Sequence, residues 1–258
     1  MNKKIKKIIN KKTKSKIICL TAYSKNIAEE VDNFADITLV GDSLGSVLYN
    51  YYTTRKVTLT NMIEHSKSVK MGIKKSLMVV DMPFNTYKTN RDALKNAKII
   101  MKETRCDAVK LEGGKKIINQ ICHLIKNNIP VMGHLGVLPQ TIKGKFKSTG
   151  KTSHEKRKLL NDSILLENSG VFAIVLECVE TSTAKQMTEK LKIPTIGIGS
   201  SKFCDGQILV TEDLIGLSGF HPRFVKKYLN MKSIIDKGIK KFKSDVKKGA
   251  FPKKNNSY

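Results

Sequence analysis

Eight short apolar runs recur along this 258-residue chain, spaced so that most are separated by enough residues for a helix. They are Ile17–Tyr23, Ile37–Asp42, Leu77–Met82, Ala108–Glu112, Ile129–His134, Val171–Cys178, Pro194–Gly199 and Gln207–Val210. Between them, Thr60–Gly72, Arg91–Thr104, Lys115–Asn127 and Glu155–Asn168 carry apolar residues at helical spacing. The runs are nearly continuous Val, Ile and Leu rather than alternating, the pattern of strands buried on both faces in a helix-covered parallel sheet. Eight β/α units in about 250 residues fit an α/β fold, the (β/α)8 TIM barrel. A doubly wound open sheet is the alternative, but no Gly-x-Gly-x-x-Gly follows the first strand. Thr60 and Asn90 stand as candidate helix caps.

The expected organisation is one barrel domain over residues 1–258, with a basic N-terminal extension (1–16) and a C-terminal helical tail (about 222–258). His221-Pro222-Arg223 reads as a break and a helix start. Phe224, Val225, Tyr228 and Leu229, then Ile234, Ile235, Ile239 and Phe242, predict amphipathic helices, and Lys253–Tyr258 a loose end.

Charge narrows the partners. Lys and Arg number 48 against 22 Asp and Glu, a formal net charge of +26. Such an excess first suggests nucleic acid or an anionic membrane, because neutralised phosphates release counterions. Only five of the cations are Arg, however, namely Arg55, Arg91, Arg105, Arg157 and Arg223. Arg is the side chain that recognises phosphates and bases bidentately. A chain rich in Lys, Ile and Asn, without Trp, reads instead as surface composition. Residues 1–16 hold eight Lys and no acid, and residues 226–258 hold eleven Lys with only Asp236 and Asp245. The excess therefore sits mainly at the two ends, outside most of the barrel. The apolar stretch Ile17–Leu20 is far shorter than the ~7–15 residues of a signal-peptide core, and no segment approaches the ~18 apolar residues of a membrane span. Five cysteines, Cys19, Cys106, Cys122, Cys178 and Cys204, lie far apart without a C-x-x-C. Neither a zinc signature nor a disulfide framework is present, and a reduced, cytoplasmic setting is expected.

In a chain this poor in acids, their placement is informative. Asp42, Asp81, Glu112 and Glu177 each close or nearly close a strand. Taken singly, an acid after a strand more often caps a helix or forms a turn. Four at equivalent positions, with Lys110 and His134 at two more, would converge on the C-terminal face of a barrel, where such folds carry their active sites. Lys110 and Glu112 are two apart on one strand and so share a face. Carboxylates packed that closely repel unless protonated or held by a cation, and hard oxygen ligands suit Mg²⁺. His134 lies between Gly133 and Gly136, while His65, His123, His154 and His221 have no comparable setting. Ser200-Ser201 suggests a phosphate cradle only weakly, since Lys202–Gln207 reads as a turn.

Six motifs in order carry a resemblance: Val40-Gly41-Asp42-Ser43-Leu44-Gly45; Asp81-Met82-Pro83-Phe84; Val109-Lys110-Leu111-Glu112-Gly113-Gly114; Gly133-His134-Leu135-Gly136 with Pro139-Gln140; Leu176-Glu177-Cys178-Val179; and Ile196-Gly197-Ile198-Gly199 followed by Asp205–Val210. Together with Gly249-Ala250-Phe251-Pro252 they resemble the ketopantoate hydroxymethyltransferase family over essentially the whole chain. The resemblance implies a barrel of the phosphoenolpyruvate/pyruvate type. It implies hydroxymethyl transfer from 5,10-methylenetetrahydrofolate to 3-methyl-2-oxobutanoate, giving 2-dehydropantoate in pantothenate biosynthesis through a Mg²⁺-stabilised enolate.

By matching motif positions, Asp42 and Asp81 would ligate Mg²⁺ and lie against the substrate, with Glu112 bound directly or through water. Ser43 would hold the substrate carboxylate, Lys110 the developing negative charge, and His134 would hydrogen-bond near the ligand. Glu177 would be the general base. The family also implies a homo-oligomer, a decamer. Tyr23-Ser24 departs from the family's Tyr-Asp, Asn50–Thr54 from its Gly-His-Asp-Ser/Thr-Thr, and Lys143–Lys151 is a short loop in which Lys151 replaces Arg. The alternatives are another Mg²⁺-dependent lyase or transferase of 2-oxo acids on the same barrel, and a nucleic-acid-binding protein using the basic ends.

Overall fold

Eight parallel strands pair in chain order and close, the last pairing back onto the first. They are β1 (Ile17–Thr21), β2 (Ile37–Val40), β3 (Leu77–Asp81), β4 (Ala108–Glu112), β5 (Val131–Gly136), β6 (Ala173–Glu177), β7 (Thr195–Ile198) and β8 (Gly206–Leu209). The structure is a computed structural model that describes residues 2–142, 147–219 and 222–258. It separates into two compact units, Met1–Val210, which holds the barrel, and Thr211–Tyr258. All eight strands fall within or overlap the apolar runs read from the sequence. The (β/α)8 barrel is thus the observed fold.

Helix α1 (Lys3–Ile9) precedes β1, and the connections carry α2 (Lys25–Asp32), α3 (Leu44–Tyr49), α4 (Leu59–Gly72), α5 (Asn90–Thr104), α6 (Ile118–Lys126), α7 (Ser153–Asn168) and α8 (Thr181–Lys190). Two caps differ from the sequence expectation. The Thr58 hydroxyl, not Thr60, accepts from Asn61 N while the Asn61 side chain accepts from Thr58 N. Thr89, not Asn90, caps α5 by accepting from Asp92 N. In each case the residue that keeps extended backbone is the one whose side chain reaches the free N–H groups of the first turn.

Strand alternation divides the core. Val40, Val80, Val109, Leu111, Ile174 and Leu176 face outward and pack with the helices in the larger cluster. The residues between them, including Leu39, Val79, Ala108, Met132, Ala173 and Val175, fill the smaller cluster inside the barrel. Continuing each inner row by two residues leads to Asp81, Lys110, Glu112, His134 and Glu177, so a single periodicity aims these side chains at one end of the barrel interior.

The opposite end is closed by α1, which corrects the reading of residues 1–16 as a basic extension outside the barrel. Ile5 and Ile8 are buried in the inner cluster. The basic residues around them bind the barrel's lower rim. Lys11 pairs with Asp36 at 2.6 Å, Lys12 with Asp205 at 2.7 Å and Lys4 with Asp107 at 3.6 Å. Lys16 donates to the Cys204 carbonyl at 2.6 Å. Those carboxylates also accept strand N–H groups, Asp36 from Ile18, Asp107 from Met78 and Asp205 from Thr195.

The second unit contains α9 (Thr211–Leu214) and α10 (Met231–Lys247). The helix expected from Pro222 onward is absent among the described residues up to Asn230; His221 lies outside them. Tyr228 N and Met231 N donate to the Leu214 and Ile215 carbonyls, so this stretch spends its backbone donors on α9 and the turn after it. No helix among the described residues is long and apolar enough to cross a membrane.

Candidate active site

Strand register places the polar residues of the upper end side by side. Asp81 on β3 is the partner of Lys110 on β4, Glu112 of His134 on β5, and Gly136 of Glu177 on β6. Asp42 follows β2 in the turn before α3, where its backbone N donates to Asp81 Oδ2 at 3.0 Å. Asp42, Asp81, Lys110, Glu112 and His134 are all at most 5% exposed. Glu177 is somewhat more open, its side chain 14% exposed.

The closest charge contact is Lys110 Nζ to Asp81 Oδ1 at 2.9 Å. Lys110 Nζ also lies 3.4 Å from His134 Nδ1. His134 spans the bowl: Nδ1 is 3.6 Å from Glu112 Oε1, and Nε2 is 3.2 Å from Glu177 Oε2. Ser43 Oγ shares a hydrogen bond of 2.8 Å with the buried Tyr23 hydroxyl. All seven residues singled out from the sequence therefore lie at or near this face.

Burial dominates the electrostatics. It pushes Asp42 well above the usual carboxylate range, with Asp81 and Glu112 adding repulsion. Burial likewise raises Asp81, although the Lys110 ammonium opposes it. Burial also acts against the charged form of Lys110, yet Asp81, Glu112 and Asp42 together keep its proton bound more tightly than usual. For His134, burial and Lys110 oppose the proton, but the nearby Glu112 and Glu177 carboxylates prevail and raise it to about 9. Glu112 is held low despite burial, chiefly by His134.

The raised Asp42 and Asp81 mark a site with more buried carboxylate than local cation, which a divalent ion would balance. As the side chains stand, no three His, Cys, Asp or Glu among the described residues are gathered as a closed metal cage. Mg²⁺ does not require one, since it keeps several waters and uses one or two carboxylates plus substrate oxygens. The donor set, all oxygen and with Asp42 and Asp81 adjacent, fits that ion.

Two backbone features hold the bowl in shape. Gly136, at φ +99°, lies where an added Cβ would overlap the Glu177 carbonyl oxygen, and this close approach lets Val137 N donate to that oxygen at 2.8 Å. Cys178, directly after the Glu177 carboxylate, adopts φ +50°, an uncommon conformation for a residue with a side chain.

Sequence reasoning missed the residues around these carboxylates. Gln140, quoted in a motif but given no role, contacts both Asp42 and Glu112. Tyr87 and Arg55 bind Gln140 in turn. Ser200 and Ser201 make internal turn contacts, Ser200 Oγ to the Val179 carbonyl and Phe203 N to Ser201 Oγ. Part of the Lys143–Lys151 loop, residues 143–146, lies outside the described residues.

A cavity of about 1520 Å³ opens beside the bowl. Its inner wall includes Glu112, Gln140, Tyr87 and Leu135, and its outer part includes Lys115 and Arg157. Ligand cavities are usually about 300–1,000 Å³, so this one has room for more than a five-carbon acid.

A buried acid-and-lysine bowl on the C-terminal face of a closed parallel barrel defines a β/α-barrel enzyme. Among solved structures, the phosphoenolpyruvate phosphomutase of Streptomyces platensis subsp. rosaceus aligns with a TM-score of 0.63 at 9% identity, covering 95% of this chain and 87% of that one. Phosphonopyruvate hydrolase in complex with oxalate and Mg²⁺ aligns with a TM-score of 0.63 at 9% identity, covering 98% and 93%. These likenesses show the barrel fold. Residues 2–254 match the ketopantoate hydroxymethyltransferase family, and the chain belongs to that family. It is 62% identical over all 258 residues to the 3-methyl-2-oxobutanoate hydroxymethyltransferase of Pelagibacter ubique (strain HTCC1062), covering 100% of both chains. With the enzyme of the same name from Helicobacter acinonychis (strain Sheeba) it shares 44% identity over 251 residues, covering 96% of this chain and 93% of that one.

Proposed function

We propose that the chain transfers a hydroxymethyl group from 5,10-methylenetetrahydrofolate to 3-methyl-2-oxobutanoate, forming 2-dehydropantoate for pantothenate biosynthesis. The observation that carries this reading is the arrangement of Asp42, just after β2, with Asp81, Lys110 and Glu112 on β3 and β4, and Glu177 facing them across His134. Asp42 and Asp81 would hold Mg²⁺, with Glu112 directly or through water. When bound, the ion polarises the 2-oxo group and makes the C3 proton acidic enough for a carboxylate to remove.

Ser43, beside Asp42, orients the substrate carboxylate. Lys110 supplies fixed positive charge where the 2-oxo oxygen gains electron density. Glu177 takes the C3 proton, and His134, which would hydrogen-bond near the ligand, lies 3.2 Å from that carboxylate. Water replaces the two C–N bonds of the donor's methylene carbon, so that tetrahydrofolate leaves and a one-carbon carbonyl at the formaldehyde level remains; the C3 electron pair adds to that carbon, and its oxygen takes back a proton to become the product hydroxyl. The adjoining cavity supplies space for the donor, with Glu112 and Gln140 at the junction. The five free thiols suit the cytoplasm, and the enzyme works as a homo-oligomer, with the decamer as its assembly.

The test is a coupled assay with methylenetetrahydrofolate, 3-methyl-2-oxobutanoate and Mg²⁺, following 2-dehydropantoate. Its formation, dependent on all three, is the expected result. Enolisation of pyruvate but not of 3-methyl-2-oxobutanoate, followed by deuterium exchange, would instead identify another 2-oxo-acid lyase or transferase.

A further inference from the structure

The three carboxylates at the upper ends of β2–β4 share an arrangement that their own strands do not explain. Each has one oxygen tied to a neutral N–H donor. Asp81 Oδ2 accepts from Asp42 N at 3.0 Å, Asp42 Oδ2 from Gln140 Nε2 at 2.8 Å, and Glu112 Oε2 from Gln140 N at 3.0 Å. Two of the three donors belong to one residue. Gln140 is 1% exposed and lies in the loop after β5, 98 residues from Asp42 in the chain.

The orientation of its amide is determined by what surrounds it. Nε2 faces two acceptors, Asp42 Oδ2 and the Met82 carbonyl at 3.0 Å, so only the NH2 group can stand there. Oε1 then faces the Tyr87 hydroxyl, which donates to it at 2.5 Å. The Gln140 carbonyl accepts from Arg55 Nε at 2.7 Å, and the Arg55 guanidinium lies 5.0 Å from the Phe84 ring centre. Backbone, amide and both neighbours thus hold the residue on every side.

We infer that Gln140 is a positioning residue: it holds one oxygen of Asp42 through its side chain and one oxygen of Glu112 through its backbone, so that both carboxylates would be set in place for a divalent ion. A neutral donor does this without bringing in a second cation to compete for the carboxylate. Lys110, the charged neighbour, contacts Asp81 on the oxygen that Asp42 N leaves free. Tyr87 acts one step further out by preventing the amide from turning. The inference rests on the reading of Asp42, Asp81 and Glu112 as metal carboxylates.

The experiment measures Mn²⁺ affinity of the full-length protein by titration calorimetry and by loss of the free-ion electron paramagnetic resonance signal. Thermal unfolding by circular dichroism runs alongside. Gln140→Met keeps the length of the side chain and removes the amide donor to Asp42, leaving the backbone N–H to Glu112 in place; Tyr87→Phe removes one hydroxyl. Supporting residues of this kind are worth about 10–100-fold in metal affinity. Gln140→Met is expected to bind Mn²⁺ about tenfold more weakly with its unfolding temperature little changed, and Tyr87→Phe about two- to threefold more weakly. Thr141→Ala, the neighbouring control, is expected to bind as wild type does. A folded Gln140→Met with affinity within twofold of wild type overturns the inference. Should Gln140→Met fail to fold, an unchanged affinity in Tyr87→Phe overturns it equally. If wild type binds no Mn²⁺, or Asp81→Asn binds it as well as wild type, the metal assignment itself falls, which these two controls report separately.

Discussion

Replacing Glu177 by Gln should abolish the proton-transfer step while leaving the bowl standing. The side chain ends β6, and its backbone is held independently of the carboxylate by pairing with β5 and β7. Its carboxylate lies against His134, with Nε2 at 3.2 Å from Oε2. An amide of the same shape keeps an oxygen acceptor for that contact but cannot take a proton from carbon. A positioned general base contributes about 10²–10⁴-fold, so the barrier should rise by about 3–5 kcal/mol at ~1.4 kcal/mol per decade. The assay is exchange of the C3 hydrogen of 3-methyl-2-oxobutanoate in deuterium oxide, followed by proton nuclear magnetic resonance with saturating Mg²⁺. Binding of the 2-oxo acid is measured by calorimetry on the same samples. The expected outcome is near-normal binding with exchange reduced at least a hundredfold. Exchange within tenfold of wild type in a folded variant would refute the assignment, and the base would have to be sought elsewhere in the bowl.

Three further outcomes follow from the scaffold. Ile8→Ala should cost about 2–5 kcal/mol, lowering the unfolding temperature by about 2–4 °C per kcal/mol at this size, whereas exposed Lys7→Ala should leave it unchanged; scanning fluorimetry compares them. Gly136→Ala puts a Cβ onto the Glu177 carbonyl at φ +99°, and the urea midpoint should report a loss of at least about 2–3 kcal/mol. Lys12→Met leaves Asp205 buried without its 2.7 Å cation; chemical unfolding should show a loss of about 3–5 kcal/mol, as for other truncated buried pairs.

The barrel was legible because its strands are buried on both faces and therefore read as uninterrupted apolar runs. The site was legible because the inner rows end in charge, at Asp81, Lys110, Glu112, His134 and Glu177. Three things were not. The first sixteen residues were read by their charge, and eight lysines masked the pair Ile5 and Ile8, three apart and both core. That spacing was visible, but a single helical turn is a weak signal beside so much charge. Gln140 was illegible for a different reason. Nothing local marks a Gln after Pro139, and its significance arises only when barrel closure brings a loop after β5 against a turn after β2. The Tyr228 segment failed likewise, since its helical spacing lost to carbonyls offered by Leu214 and Ile215.

Helix α1 precedes every strand of the barrel, yet part of its anchoring comes from the far end of the barrel sequence. Lys12 binds Asp205 and the Thr188 carbonyl, 193 and 176 residues away, and Lys16 binds the Cys204 carbonyl at a separation of 188. None of these partners exists while the ribosome is still translating the first strands. Those contacts can form only once the chain extends to Asp205, whereas the pairing of Lys11 with Asp36 needs only the first two strands. Eight lysines in sixteen residues keep so short an apolar face soluble during that interval, and the same side chains then become the clamp that reports the ring has closed. Contacts that join residues 12 and 16 to residues 188–205 are of the long-range kind that slows folding.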